Sequence, residues 1–318
     1  MHDLQMDREL TRIPGLFLQW DADMTSHTTI GTQSRAALLV EAQTPLSLKK
    51  LTMLCARKGY PMMMLAGGSN TVFARSFFDG IVVKLAGQAF RQKDVIAPNI
   101  IRVGAATVLS DLINFSRKSG MMGLEFCTMI PGQVGGALAG NAGAGRYGLC
   151  DYVDSVLVLT RDGELFDVQR NGFSYGYRKS DLREAIILEA NIRLMPYNKQ
   201  LSLQNGRDFR EKKKNQPYKL PNAGCIFKNP KHPVTGESIS AGKLIDEAGL
   251  KNYELNGCAV SDGHANFIVN KKNASGEDFM ALMRLIQDIV FERTGIELEP
   301  EARIVGSSGE ALTNCVLW

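Results

Sequence analysis

The chain has 318 residues, of which 44% are hydrophobic and 22% charged, and its net charge is +4. That length exceeds one ordinary core and points to two or three domains, and the composition is globular rather than disordered. The small charge excess lacks the clustering expected of a nucleic-acid binder, and no run approaches the roughly eighteen apolar residues of a membrane span, so neither partner is expected.

Six cysteines are present (Cys55, Cys127, Cys150, Cys225, Cys258 and Cys315). None form a C-x-x-C pair, so no zinc site is expected. The opening Met1-His2-Asp3-Leu4 lacks a basic region followed by an apolar one. A cytoplasmic protein with reduced thiols is expected.

In chain order, residues 1–25 read as a loose lead-in around Pro14 and Gly15. The apolar run Ala36 to Ala42 predicts a strand. Leu46 to Lys58 predicts a helix with Leu48, Leu51, Thr52 and Cys55 on one face. Pro61 to Leu65 reads as a short buried strand running into the tight turn Ala66-Gly67-Gly68-Ser69-Asn70, and Gly80 to Leu85 as another strand, giving a βαββ unit around a glycine-rich loop. A second unit begins with a strand at Ile100 to Ala105 and a helix at Leu109 to Ser119, followed by Gly120 where a helix-ending glycine belongs. A glycine-rich segment runs from Gly123 to Gly148. Strands follow at Tyr152 to Leu159 and Ile186 to Ala190, with a turn at Asp162-Gly163 between them. Residues 195–220 are polar and basic and mark a boundary. Within them, Arg210, Lys212, Lys213 and Lys214 read first as a solvated helix face, with anion binding as the alternative. Beyond lie a helix from Ala241 to Gly249, a strand at Phe267 to Asn270, and a helix capped by Ser275 that buries Phe279, Leu282, Met283, Ile286 and Ile289 and ends near Gly295.

Two segments carry chemistry. In Gly67-Gly68-Ser69-Asn70, adjacent glycines after an apolar strand let backbone N–H groups approach an anion, and Ser69 and Asn70 add donors. The segment lacks the Lys-Ser/Thr of a Walker loop and is not G-x-G-x-x-G; an ordinary strand-to-loop turn is the other reading. In Ile130-Pro131-Gly132-Gln133-Val134-Gly135-Gly136-Ala137 and on to Asn141-Ala142-Gly143-Ala144, glycines beside Pro131 suit backbone pressed against a large planar or pyrophosphate-bearing ligand, close helix–strand packing being the alternative. Together they point to a dinucleotide-type cofactor.

The order of these segments resembles the UDP-N-acetylenolpyruvoylglucosamine reductase (MurB) family. Further segments fit it: Ser174-Tyr175-Gly176-Tyr177-Arg178-Lys179-Ser180, Asn222-Ala223-Gly224-Cys225-Ile226-Phe227-Lys228-Asn229-Pro230, Ala241 to Leu250, His264 to Asn270, and Leu298-Glu299-Pro300-Glu301-Ala302-Arg303. The resemblance covers residues 25–306, and the spacing after the Tyr-Arg motif resembles the family's shorter, second type. It implies an α+β protein: a two-part FAD-binding region of the vanillyl-alcohol-oxidase type (1–86 and 87–205) and a C-terminal α+β substrate-binding domain (206–318).

The resemblance also implies FAD as cofactor and NADPH as co-substrate. Hydride would pass to C3 of the enolpyruvyl group of a UDP-sugar and a proton to C2. Arg178 would polarise the substrate carboxylate, Glu301 would assist at the enolate, and Cys225 would donate the proton where the family usually has serine. The cofactor would lie against Ala66, Gly67, Gly68, Ser69, Asn70, Pro131, Gly132, Val134, Gly135, Gly136, Asn141 and Ala142. Tyr177, Lys228 and Asn229 would meet the UDP-sugar, and residues 212–216 would approach its phosphates. Three departures stand out. Cys225 is a thiol, open to alkylation if nearby cations ionise it. Ala66 replaces a glycine, tolerable only at negative φ. The family's opening threonine-glycine motif is only partly present at Thr28 to Gln33.

Overall fold

The computed structural model describes residues 8–307 and the strand Ala311–Thr313; the opening Met1 to Leu4 and Cys315 lie outside the described residues. The first sheet has the strand order Leu16–Asp23, Arg35–Ala42, Phe77–Leu85, Met62–Met64. Its first pair is antiparallel and the other two are parallel. Leu38 and Val40 stand beside Ile81 and Val83, so consecutive inward residues share one core.

Helix Pro45–Lys58 covers this core for local reasons. Thr44 and Ser47 form a capping box, Pro45 fills the first turn, and Gly59 ends the helix at φ 69°. Its Leu48, Leu51, Leu54 and Cys55 are buried. The expected loose lead-in is wrong for residues 16–23, which form the hydrogen-bonded edge strand, and Leu10 before it is buried. Period-two alternation is present there, but exposed Phe17 obscures it by placing a large apolar residue on the solvent side.

The second sheet is antiparallel throughout, in the order Leu165–Gln169, Val153–Leu159, Ile186–Arg193, Ile100–Gly104, Lys93–Ala97. Helix Leu109–Lys118 and the short helix Val134–Ala139 pack on it through Leu109, Leu112, Val134 and Leu138. The basic region is itself structured: helix Lys199–Lys212 lies against the short turn of 3-10 helix Glu125–Cys127. Ser202 Oγ donates to the buried Glu125 carboxylate at 2.5 Å, and Phe209 packs edge-on against Tyr147.

The last third packs helices Ala241–Glu247 and Gly276–Thr294 against a three-stranded sheet, Glu254–Leu255, Cys258–Val260 and Ile268–Asn270. Ser275 caps the long helix through Asp278, and Gly295 closes it at φ 68°. Its buried face ends on Val290, while Ile289 is only partly buried. One topological feature positions the site. Strand Thr71–Phe73, directly after the first glycine turn, pairs in parallel with Arg303–Val305 from the far end of the chain. The residues just before Arg303 are thereby carried to that turn.

Candidate active site

The two glycine turns face each other. A Cβ on Gly67 would sit 3.2 Å from Gly132 Cα, and Ser69 Oγ donates to Pro131 O at 3.1 Å. Gly68 has φ 65°, and a Cβ there would fall 2.1 Å from His27 O, so both conformation and space require glycine. Ala66 is not among the positive-φ residues; its methyl fits because Gly136, opposite, has none: a Cβ there would lie 3.2 Å from it.

Between the turns lies a cavity of about 710 Å³. Its wall includes Ala66 to Asn70, Pro131, Gly132, Gly135, Gly136 and Ala142. Val134 and Asn141 are buried behind it. The N–H of Val134 is spent on Thr107 O and that of Gly135 on Ala105 O. Asn141 spends both ends of its amide on the protein: Nδ2 donates to Gly176 O at 2.8 Å and Oδ1 accepts from Cys150 N at 3.0 Å.

Arg178, Cys225 and Glu301 line the same cavity. Arg178 sits at the tip of the hairpin Tyr175–Gly176/Lys179–Ser180, with φ 55°. Its Nε donates to Glu301 Oε1 at 2.5 Å and its Nη1 to Gly143 O at 3.2 Å. Glu301 is fixed by its backbone: its N–H donates to Ile226 O at 2.7 Å and its C=O accepts from Asn70 Nδ2 at 3.3 Å. Cys225, one residue before Ile226, follows Gly224 at φ 79°, in a turn that Asn222 Oδ1 closes by accepting from Gly224 N.

Burial raises the Glu301 carboxyl, with the adjacent guanidinium opposing. Burial also pushes the Cys225 thiol up to about 12, the Glu301 charge adding to this and Arg178 and Lys213 opposing. The condition for ready alkylation, ionisation by nearby cations, is opposed by this burial, which outweighs Arg178 and Lys213 and favours the neutral S–H.

Of the other expected residues, Tyr177, Lys228 and Asn229 lie outside the cavity wall, while Lys213 and Gln216 are part of it. The Tyr177 ring is exposed beneath the Arg178 guanidinium, and its hydroxyl accepts from Asn229 N at 3.5 Å. Lys228 pairs with Glu299, and Asn229 Oδ1 accepts from Ala241 N at the start of a helix. Of the basic run, Arg210, Lys212 and Lys214 are exposed. Lys213 turns inward, lines the cavity, and donates to Thr128 O at 2.9 Å. Thr29, Met129, Arg183 and Tyr218 also line it. Thr29 carried a faint signal in the partial threonine-glycine motif; it donates from Oγ1 to Asn222 O at 2.6 Å and from its N–H to Gly68 O. Met129 lies inside the recognised glycine-rich segment with nothing there to single it out, and Arg183 and Tyr218 had no motif to reveal them.

Comparison with known proteins accords with this layout. Residues 36–169 match the model of an FAD binding domain, and residues 216–305 that of the UDP-N-acetylenolpyruvoylglucosamine reductase C-terminal domain. The UDP-N-acetylenolpyruvoylglucosamine reductase of Geobacter metallireducens is 36% identical over 90% of this chain and 93% of its own length. That of Protochlamydia amoebophila is 37% identical over 87% of this chain and 90% of its own. The chain belongs to the UDP-N-acetylenolpyruvoylglucosamine reductase family. The crystal structure of the Thermus caldophilus reductase superposes with a TM-score of 0.77 at 31% identity, covering 91% of this chain and 98% of that one.

Membership makes the protein an FAD-dependent oxidoreductase, as the sequence motifs implied. The cavity fits that cofactor. The N–H groups of Gly67, Gly68, Ser69 and Asn70 in one turn, and of Gly132 and Gln133 in the other, donate to no other group among the described residues. Such a double row of spare backbone donors suits a pyrophosphate. No helix of the described residues is long and apolar enough to cross a membrane.

Proposed function

We propose that the protein reduces UDP-N-acetylglucosamine enolpyruvate to UDP-N-acetylmuramate, a step of peptidoglycan precursor synthesis, with NADPH as hydride source. The observation that carries this reading is the meeting of Arg178, Glu301 and a neutral Cys225 thiol in the cavity walled by the two glycine turns. It also rests on a division into 1–86 and 87–205 around the cofactor and 206–318 toward the UDP-sugar.

Bound FAD would supply a ring that takes hydride from NADPH and gives hydride to C3 of the enolpyruvyl group. The residues of Gly67 to Asn70 and Pro131 to Gly136 would hold its pyrophosphate. The protein's own task is to manage the charge and the proton that this transfer creates. Addition at C3 leaves negative charge at C2, spread into the carboxylate. Arg178, permanently charged and only 24% exposed, would bind that carboxylate. Glu301, 15% exposed and itself bonded to Arg178, would orient the guanidinium and balance its charge before substrate arrives. Cys225 Sγ–H would give its proton to C2 and afterwards regain one from solvent, restoring the thiol. A group of pKa near 12 remains loaded with its proton throughout the neutral range, yet is a far stronger acid than a serine hydroxyl. Lys213 would meet phosphate oxygens, and Tyr177, Lys228 and Asn229 would border the sugar at the cavity rim.

The test is turnover. Purified protein carrying FAD should oxidise NADPH only when the enolpyruvyl UDP-sugar is present, and mass spectrometry should find a product heavier by two hydrogens. NADPH oxidation independent of the sugar, with the sugar recovered unchanged, would assign the cavity to a different acceptor.

A further inference from the structure

Eight non-glycine residues among those described have positive φ. Six are Asn or Asp (Asp21, Asn99, Asn141, Asn252, Asn256 and Asn273), whose short polar side chains tolerate the left-handed region. The two exceptions are Arg178 at φ 55° and Met129 at φ 64°. Both line the cavity. Strained backbone is kept where the surroundings over-determine it, and it gathers at functional sites. For Arg178 the reason is the guanidinium the hairpin tip presents. Met129 has no such accounting, because a thioether gives no charge and no proton.

The backbone on either side of Met129 is fixed. Thr128 O accepts from Lys213 Nζ at 2.9 Å, Ile130 N donates to Cys127 O at 2.9 Å, and Pro131 O accepts from Ser69 Oγ at 3.1 Å. The turn is thus built by its neighbours, and glycine or asparagine would satisfy it at less cost. What methionine adds is a long, unbranched, polarisable side chain on a residue that is 36% exposed and lines the cavity, in sequence between the Thr128 carbonyl that accepts from Lys213 and the Pro131-Gly132 turn. Its chemistry suits a flat aromatic surface, to which sulfur makes favourable contacts.

We infer that Met129 is a cofactor-binding residue whose side chain packs against the isoalloxazine ring, and that the left-handed backbone is tolerated in order to place it there. This rests on the FAD reading of the cavity.

The test compares Met129→Asn, Met129→Gly and Met129→Leu in the full chain. FAD is stripped and returned by titration, with flavin fluorescence giving the dissociation constant and thermal melting of the stripped protein giving stability. Asn and Gly should relieve the strain and raise the melting temperature by about 2–4 °C. They should also weaken FAD binding by roughly two- to tenfold, the range of a sulfur–aromatic contact. Leu, which keeps the backbone strain and most of the apolar surface but loses the sulfur, should melt as the parent does and bind FAD more tightly than the Asn variant but less tightly than the parent. An Asn variant that binds FAD as tightly as the parent overturns the inference, because the side chain then touches no cofactor. Asn and Gly variants that melt lower than the parent overturn the strain argument. A parent chain that takes up no FAD overturns the cofactor reading itself, and that result appears before any variant is compared.

Discussion

Arg178 and Glu301 stand 123 residues apart in sequence and share a hydrogen bond of 2.5 Å, Nε to Oε1, at the wall of one cavity. The contact joins the tip of a hairpin in the middle of the chain to the strand that returns from its far end to the first glycine turn. Glu301→Gln keeps the shape but removes the charge that balances the guanidinium. Flavin reduction by NADPH should be little changed, while reoxidation by the enolpyruvyl sugar should slow by about 10²-fold or more, because the carboxylate must bind Arg178 when charge develops at C2. Stopped-flow absorbance separates the two steps. Equal slowing of both would give Glu301 a role in packing or in NADPH binding.

Lys213 gives a pH prediction. Burial lowers its ammonium to about 8 from an ordinary 10.5, with the Arg178 charge acting in the same direction. The charge is present below that value and lost above it. KM for NADPH and for the UDP-sugar should therefore rise as pH passes upward through about 8 in the ligand-free enzyme. Lys213→Arg should flatten the profile while keeping affinity, and Lys213→Met should flatten it at a uniformly weak affinity. A profile in the Met variant that still bends near pH 8 would assign the titration to another group.

Asn141 tests how Arg178 is held. Its amide fixes Gly176 O, two residues before Arg178, and Cys150 N, and its φ of 43° suits asparagine. Asn141→Ala leaves the buried Cys150 N–H and the part-buried Gly176 carbonyl without their partner and should cost about 1–3 kcal/mol of stability. If Asn141 acts through the hairpin, the loss in turnover should fall on the sugar half-reaction, with the FAD dissociation constant unchanged. An equal loss of FAD affinity would return Asn141 to direct cofactor contact, as its motif suggests.

What the sequence made legible follows from where the information resides. The helix at 45–58 and the helix after Ser275 announce themselves through caps and terminal glycines, which are local chemistry. The two glycine turns are legible because glycine is required at Gly68 by φ and by close backbone approach together. Strand Thr71–Phe73 was missed because its pairing with Arg303–Val305 exists only in three dimensions. The inward turn of Lys213 was hidden for a similar reason. Nothing separates it from Arg210, Lys212 and Lys214 until the helix docks on the Glu125–Cys127 turn. Met129 lay in plain view inside a recognised segment, but its meaning depends on a dihedral angle that no residue pattern states.

The central claim is that the cavity works as a proton-donating site for a substrate carbanion, with Cys225 as the donor. Its most direct test is the reoxidation half-reaction of the reduced holoenzyme by the enolpyruvyl UDP-sugar, measured anaerobically for the parent, Cys225→Ser and Cys225→Ala. A neutral thiol held near pKa 12 predicts slow alkylation by iodoacetamide at neutral pH, so any loss seen here reflects the donor rather than damage to it. The serine variant should keep substantial reoxidation. The alanine variant should lose about 10²–10⁴-fold, the usual worth of a positioned general acid, with NADPH reduction and FAD content intact. An alanine variant that reoxidises as fast as the parent would contradict the account and leave Cys225 a packing residue.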